Sequence, residues 1–405
     1  MKPREREEQE VGVMRRSLLV FAVVVAVGLI GTPALMQDMP SGPSPYDVVD
    51  GWLKPFAASG YSFGATSAVF AESPDRIFIA QRGENQLPDP VPPGFQGFLG
   101  SIGVRANTAS ESRVWQNTIF VVDGDGNMIE AWTQWDDMFQ SDAEGPSGIH
   151  KIKINPFDSD RKLWVADTTN HQVHAFSNDG EELVMSLGAG GAGDDDNHLD
   201  RPWDMAFTED GSIFVADMGN SRIMKFDAQG NFVTTWGVNG SGRGEFAMPH
   251  AVATDSIGRI YVGDMGNNRV QVFNETTRSV WYHPNISPIA TWPGFERPTD
   301  IYATGYDVWI SDNGEGNAAG TAGDADPTRP ARMVKLDWNG NPQFTWELAG
   351  FGTGAGEVFV LHQFSVDAEK NFYAADPVHG RVQKFVQKEG ASFMETFGAP
   401  DPPLQ

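Results

Sequence analysis

The chain has 405 residues with 45 glycines, 26 prolines and 12 tryptophans, enough for a large core and punctuated too often for long helices. A formal net charge of -25 repels phosphate backbones and anionic lipid, so nucleic acid is disfavoured as a partner. With no cysteine, disulfides, thiolate metal sites and thiol catalysis are unavailable, and any metal must rest on His, Asp, Glu or carbonyl oxygen.

The N-terminal segment has the character of an address. Arg15 and Arg16 precede the apolar run SLLVFAVVVAVGLI (Ser17 to Ile30), with Gly31, Pro33 and Ala34 after it. The run falls short of the roughly 20 residues that span a bilayer, which fits a cleaved signal, while extension through Leu35 keeps an uncleaved anchor open. The stretch before Met14 is acidic, whereas a start at Met14 would open with MRRSLLV. Residues 1–36 are thus expected to be a signal peptide or membrane anchor, 37–45 a Pro/Ser-rich tether, and 46–405 an exported domain, periplasmic or extracellular. A membrane partner enters only through that anchor.

From Tyr46 the pattern changes to short strands. KLWVAD, GSIFVAD, RIYVGD, YDVWISD and NFYAAD each end a β-rich run on an aspartate: Asp167, Asp217, Asp264, Asp312 and Asp376. Around each recurs a strand opening, a turn such as TEDGS, the strand ending in Asp, a polar turn, a run such as RIMKF or RVQVF, and a last strand such as FVTTWG. That is four antiparallel strands in about 45 residues, the grammar of a propeller blade. Six units follow, from about Tyr61 to Trp135, Pro146 to Gly188, Arg201 to Gly237, Met248 to Trp292, Arg297 to Gly350 and Gly356 to Gly398. The fold expected is all-β, a six-bladed β-propeller; a strand near Tyr46 is available to help close the ring, although the last unit looks complete without it. In DMGNSR and DMGNNR the glycine is expected to supply a positive φ and the Asp and Asn to hydrogen-bond local backbone groups, with a structural part for the Asp and Arg positions. The wording resembles the NHL-repeat family of β-propellers, a resemblance specific for fold and weak for function.

Aligned at the residue opening each innermost strand, the units read IHK, PWD, PHA, PTD and LHQ from the second to the sixth. Histidine recurs on alternate blades, as His150, His250 and His362, although the chain has only eight histidines. Innermost strands line the central channel, so three imidazoles can converge on its axis. Three neutral imidazoles with a fourth position open make a catalytic zinc arrangement, with iron or copper as weaker alternatives. Singly, each is equally readable as a core histidine satisfied by a carbonyl. His171 and His174 lie outside the register. The same face carries long insertions in the first unit, GENQLPDPVPPGFQGFLGSIGVRANTASESR, and the fifth, NGEGNAAGTAGDADPTRPAR, so a peptide-like or small-molecule substrate is expected there.

A narrower resemblance is to the peptidyl-α-hydroxyglycine amidating lyases, zinc-dependent six-bladed NHL propellers that release a peptide amide and glyoxylate. GIHKIKIN, MPHAVATD and VLHQFSVD resemble the phrases that carry the family's zinc ligands, which implies that role for His150, His250 and His362. FIAQRGENQ resembles the stretch carrying an active-site arginine, which falls on Arg82. NHLDRPWDMAF and the run after it resemble a further blade. Three features depart from the family: Met218 stands at the turn of its catalytic tyrosine, Gln363 replaces an aspartate that helps hold a structural calcium, and its disulfides are absent. Zinc is thus the expected cofactor and calcium is doubtful. Asp204 and Asp300, each following a slot of the register, are candidate bases or strand-end braces. The other classes open are a non-catalytic propeller binding a peptide, glycan or protein, and a metal-dependent hydrolase of esters or lactones.

Overall fold

The computed structural model describes residues 39–405 except 56–59, 110–111, 142–146, 275–285, 305, 315–329, 393–394 and 398–405. The expected signal or anchor, and most of the insertion in the fifth unit, lie outside the described residues.

Six antiparallel sheets form the blades of a propeller. Their innermost strands are Thr66–Ser73, Ile149–Ile154, Pro202–Phe207, Pro249–Thr254, Pro298–Ala303 and Gln363–Val366. A sheet this small cannot bury both faces alone, so the neighbouring blades supply the cover. Phe78, Val121, Ile152, Val165 and Phe176 fill the gap between the first and second blades. Phe214, Trp236, Val252, Ile260 and Phe273 fill that between the third and fourth. Burial falls outward: Pro202–Phe207 is buried throughout, whereas Phe232–Trp236, outermost in the same blade, buries only Trp236 fully.

The sixth blade uses the strand available near Tyr46, and the last unit is not complete by itself. Its fourth strand comes from Tyr46–Val48, which pairs antiparallel with Arg381–Gln387. Residues after Gly390 add no strand among those described, and Phe397 instead plugs the core between the fifth and sixth blades, against Trp309, Phe364 and Phe372. The ring is closed by joining the two ends of the domain. Within the stretch expected to be tether, Ser41–Gly42 adds a parallel strand to the outer edge of the fifth blade. A separate three-stranded sheet, Tyr61–Phe63, Glu84–Gln86 and Arg113–Val114, is formed by the first-unit insertion and the strand before the blade.

In the turns after the aspartates, Asp217 accepts from the Asp200 amide and Asn220 donates to Gly193 O as expected, and the aspartates also accept from arginine, Asp217 from Arg222 at 2.7 Å and Asp264 from Arg269 at 2.8 Å. The glycine has a different part. Positive φ falls on Ser221 (54°) and Asn268 (57°), while Gly266 is required because a Cβ there would stand 2.1 Å from the Ala247 carbonyl oxygen.

Tyr46 is the keystone of closure. It is buried, its ring meets Trp346, Phe372 and Phe397, and its hydroxyl accepts from the Phe397 amide at 3.0 Å. Tyr46→Phe should cost about 1 kcal/mol for the lost hydrogen bond. Tyr46→Ala should cost about 3–5 kcal/mol for the emptied core position. Urea denaturation of the two variants checks both values.

Candidate metal centre

Five of the six innermost strands begin with an irregularity, and the sixth starts one residue after His362. Ladder pairing steps over one residue: Ser67 in the first blade, Trp203 in the third, His250 in the fourth and Thr299 in the fifth, with a longer step across His150 and Lys151 in the second. A bulge takes a residue out of the ladder, re-aims its side chain and frees its carbonyl. Prolines at 202, 249 and 298, which lack an amide proton, sit at the first position of their strands, where that proton is least needed.

These residues, with His362 just ahead of its strand, divide into two alternating sets. His150, His250 and His362 point at one another inside the channel mouth, all buried, with ring centroids 4.5 to 5.0 Å apart. The intervening blades supply carbonyls. His150 Nδ1 lies 2.8 Å from Trp203 O, His250 Nδ1 2.6 Å from Thr299 O, and His362 Nδ1 2.7 Å from Ser67 O. A carbonyl can only accept, so every Nδ1 carries the proton and every Nε2 keeps its lone pair. The three Nε2 atoms converge: those of His362 and His150 are 3.2 Å apart, His250 Nε2 has no hydrogen-bond partner, and the set lies within 4.8 Å of one another. Three facing lone pairs repel one another, and a cation among them removes the repulsion. The donor set therefore fits a metal ion bound by imidazoles whose second nitrogens are held by an outer shell of carbonyls.

Burial pushes all three rings below the ordinary histidine range, His362 to about 3, with neighbouring positive charge adding to the effect. Their neutral form, the one a metal needs, is thus favoured by the site itself.

Beneath the rings the channel is closed by charge. Lys151, fully buried, donates to Thr299 O at 2.8 Å and Asp300 Oδ1 at 2.7 Å, with Asp204 Oδ2 3.3 Å away. Lys153 reaches Asp204 Oδ1 at 2.7 Å. Asp204 and Asp300 also accept from the amides of Val252 and Phe364 on the next blades, so they are braces between blades. Gln363 spends both ends of its amide on the backbone of Ile152, at 3.3 and 2.7 Å, so neither end is offered to a calcium ion.

Arg82 follows the strand Arg76–Gln81, is buried, and donates from Nε to Ile149 O at 3.2 Å, immediately before His150. Burial first, and then the charge of Arg113, lower its pKa to about 10. Opposite, Trp203 stacks on His150 at 4.8 Å and packs with Met218, Met248 and Met265 into an apolar wall. Met218 takes the turn where the resemblance places a phenol. His171 accepts from the Arg201 amide and His174 lies against Asp167 and Ser186, both away from the centre. The outer shell of carbonyls was hidden from sequence reasoning because every residue has one; the non-histidine slots of the same register were the available signal.

A ring of six blades with an imidazole triad in one channel mouth defines the class: a β-propeller with a candidate metal centre. Residues 193–285 match a family model described as a 6-bladed beta-propeller. The chain is 39% identical over 102 residues to the probable peptidyl-alpha-hydroxyglycine alpha-amidating lyase of Caenorhabditis elegans, covering 24% of this chain and 29% of that protein. It is 38% identical over 105 residues to the peptidylglycine alpha-amidating monooxygenase of Rattus norvegicus, covering 24% of this chain and 11% of that protein. With NHL repeat-containing protein 3 of Mus musculus it shares 26% identity over 239 residues, 56% of each chain. The match spans less than a third of the length of either amidating relative.

The buried rings make metal-free stability depend on pH. Unfolded histidines titrate near 6.5, whereas the folded rings stay neutral well below that, His362 to about 3. Between those values the unfolded chain binds protons that the folded chain does not, so this stability is complete above pH 6.5 and is lost as pH falls. The loss is about 1.4 kcal/mol per pH unit for each ring. In the metal-free protein, His362→Gln should flatten the decline between about pH 6.5 and 4 by one histidine's share, as read from urea midpoints across that range.

Proposed function

We propose that this protein is an exported zinc-dependent lyase that converts a peptidyl-α-hydroxyglycine to a peptide amide and glyoxylate. The observation that carries the reading is the convergence of three deprotonated Nε2 atoms, fixed by carbonyls of the intervening blades, in a mouth that also holds Arg82. Similarity to the amidating lyase of Caenorhabditis elegans supports the choice of reaction. The apolar run Ser17 to Ile30 supports export.

His150, His250 and His362 would hold the metal, and zinc bound there supplies Lewis acidity toward the substrate hydroxyl. The reaction needs no oxidant: the hydroxyl loses its proton, its oxygen becomes the aldehyde oxygen of glyoxylate, the carbon–nitrogen bond breaks, and the amide nitrogen gains a proton. Arg82 binds the carboxylate of the hydroxyglycine and holds the reacting carbon beside the imidazoles. Trp203, Met218 and Met265 wall off water on the opposite side. A thioether accepts no proton, so Met218 leaves this turn without a base. That substitution favours, as a second reading, a zinc-dependent propeller hydrolase of esters or lactones.

Protein purified without an affinity tag should contain one zinc per chain, and His250→Ala should abolish it while the fold persists, because blade stacking builds the core. Arg82→Ala should keep the zinc and lower glyoxylate release from an α-hydroxyglycine peptide by about 10²–10³-fold. Zinc-loaded wild type that releases no glyoxylate but hydrolyses an ester or lactone would replace the first reading by the second. Metal-free wild type, with all three histidine variants unchanged, would reject both.

A further inference from the structure

We propose that Arg113 is the second arm of an anion clamp with Arg82, so that the ligand of this site ends in a free carboxylate held by two guanidiniums. The proposal rests on the lyase reading only for the identity of that ligand.

The two arginines come from different parts of the first unit. Arg82 directly follows the blade's second strand, and Arg113 lies in the short strand Arg113–Val114 that pairs with Glu84–Gln86. Gly83 sits between them with φ 71°, and a Cβ there would meet Val114 O at 2.6 Å and Arg113 Cγ at 3.1 Å. The absent side chain lets the insertion press onto the turn carrying Arg82. Gly148, two residues before His150, likewise lies under Trp115 and Arg82, at 3.0 and 3.2 Å from a hypothetical Cβ. Arg113 lies over the Trp115 ring at 5.3 Å. The insertion therefore places a second guanidinium beside the first, and the first adjoins the residue before His150.

Neither has a counter-ion. No ion pair joins Arg82 or Arg113 to a carboxylate among the described residues, and Arg113 Nε is buried without a hydrogen-bond partner. Elsewhere Arg76, Arg161, Arg222, Arg259, Arg269 and Arg332 each pair with one. Carboxylates are not scarce, since acidic residues number 54 against 29 basic ones. Even the adjacent Glu84 is turned away, accepting from Gln116 and Asn117 at 2.7 Å each. Two neighbouring cations without an anion, Arg82 buried and Arg113 half-buried, are unfavourable, and both guanidiniums are held below their ordinary pKa by burial. An incoming carboxylate relieves this strain and offers one oxygen to each planar fork. The site would then select chain ends: a hydroxyglycine with a free carboxylate is held, and the same unit capped as an amide is not.

The test compares N-acetylglycine with N-acetylglycinamide by calorimetry on protein as purified. Wild type should bind the carboxylate at least about tenfold more tightly than the amide. Arg113→Gln, with metal content unchanged, should erase most of that preference, and Arg113→Lys should restore part of it. A folded Arg113→Gln protein that keeps the full preference, or a wild type that has none, would overturn the clamp. Turnover separates the two proposals. Arg113-dependent carboxylate preference without glyoxylate release would leave the clamp and remove the lyase. Glyoxylate release with an unaltered KM in Arg113→Gln would keep the lyase and remove the clamp.

Discussion

An imidazole can lend a lone pair to a metal only if its other nitrogen keeps the proton, and something must hold it there. Here that is done by the backbone of the neighbouring blade, three times around the ring. The bulges opening five of the innermost strands make it possible, because a residue stepped over by the ladder has a carbonyl to give and a side chain free to turn inward. Even-numbered blades supply the rings and odd-numbered blades the acceptors. The centre is thus a product of the repeat as a whole, and its geometry is inseparable from how the blades meet.

The layer below depends on the same join. The Thr299 carbonyl receives both the His250 ring and the Lys151 ammonium, and Asp300, next in sequence, grips that ammonium from the side. Lys151 itself follows His150. Three blades are thereby tied at a single point on the channel axis, and the rings stand on a charged floor.

Much of this was legible in the sequence, for identifiable reasons. The blades showed because strand-ending aspartates recur, and the histidines because a repeat gives every residue a register in which His150, His250 and His362 stand out. Arg82 was reachable only through resemblance. What stayed hidden depends on contacts between distant segments. The strand near Tyr46 was visible but its partner, Arg381–Gln387, was not, and Arg113 lies in an insertion whose pairing with Glu84–Gln86 cannot be read from spacing. The glycines of the DMGN turns were visible but misleading: their role is close approach to another backbone, while Ser221 and Asn268 adopt the left-handed conformation.

The seam of the ring also orders events in time. Tyr46 and Phe397, 351 positions apart, must meet before the last blade is complete. During synthesis the first-made edge of the domain therefore waits, unpaired, for the last-made blade to emerge. Cotranslational folding can stack the middle blades one after another, but the circle closes only after Phe397 has emerged, so assembly is incremental at the start and all-or-none at the closure. The triad inherits that timing: His362 comes from the final blade and its acceptor Ser67 from the first, so the metal centre is completed by the same late event that seals the propeller.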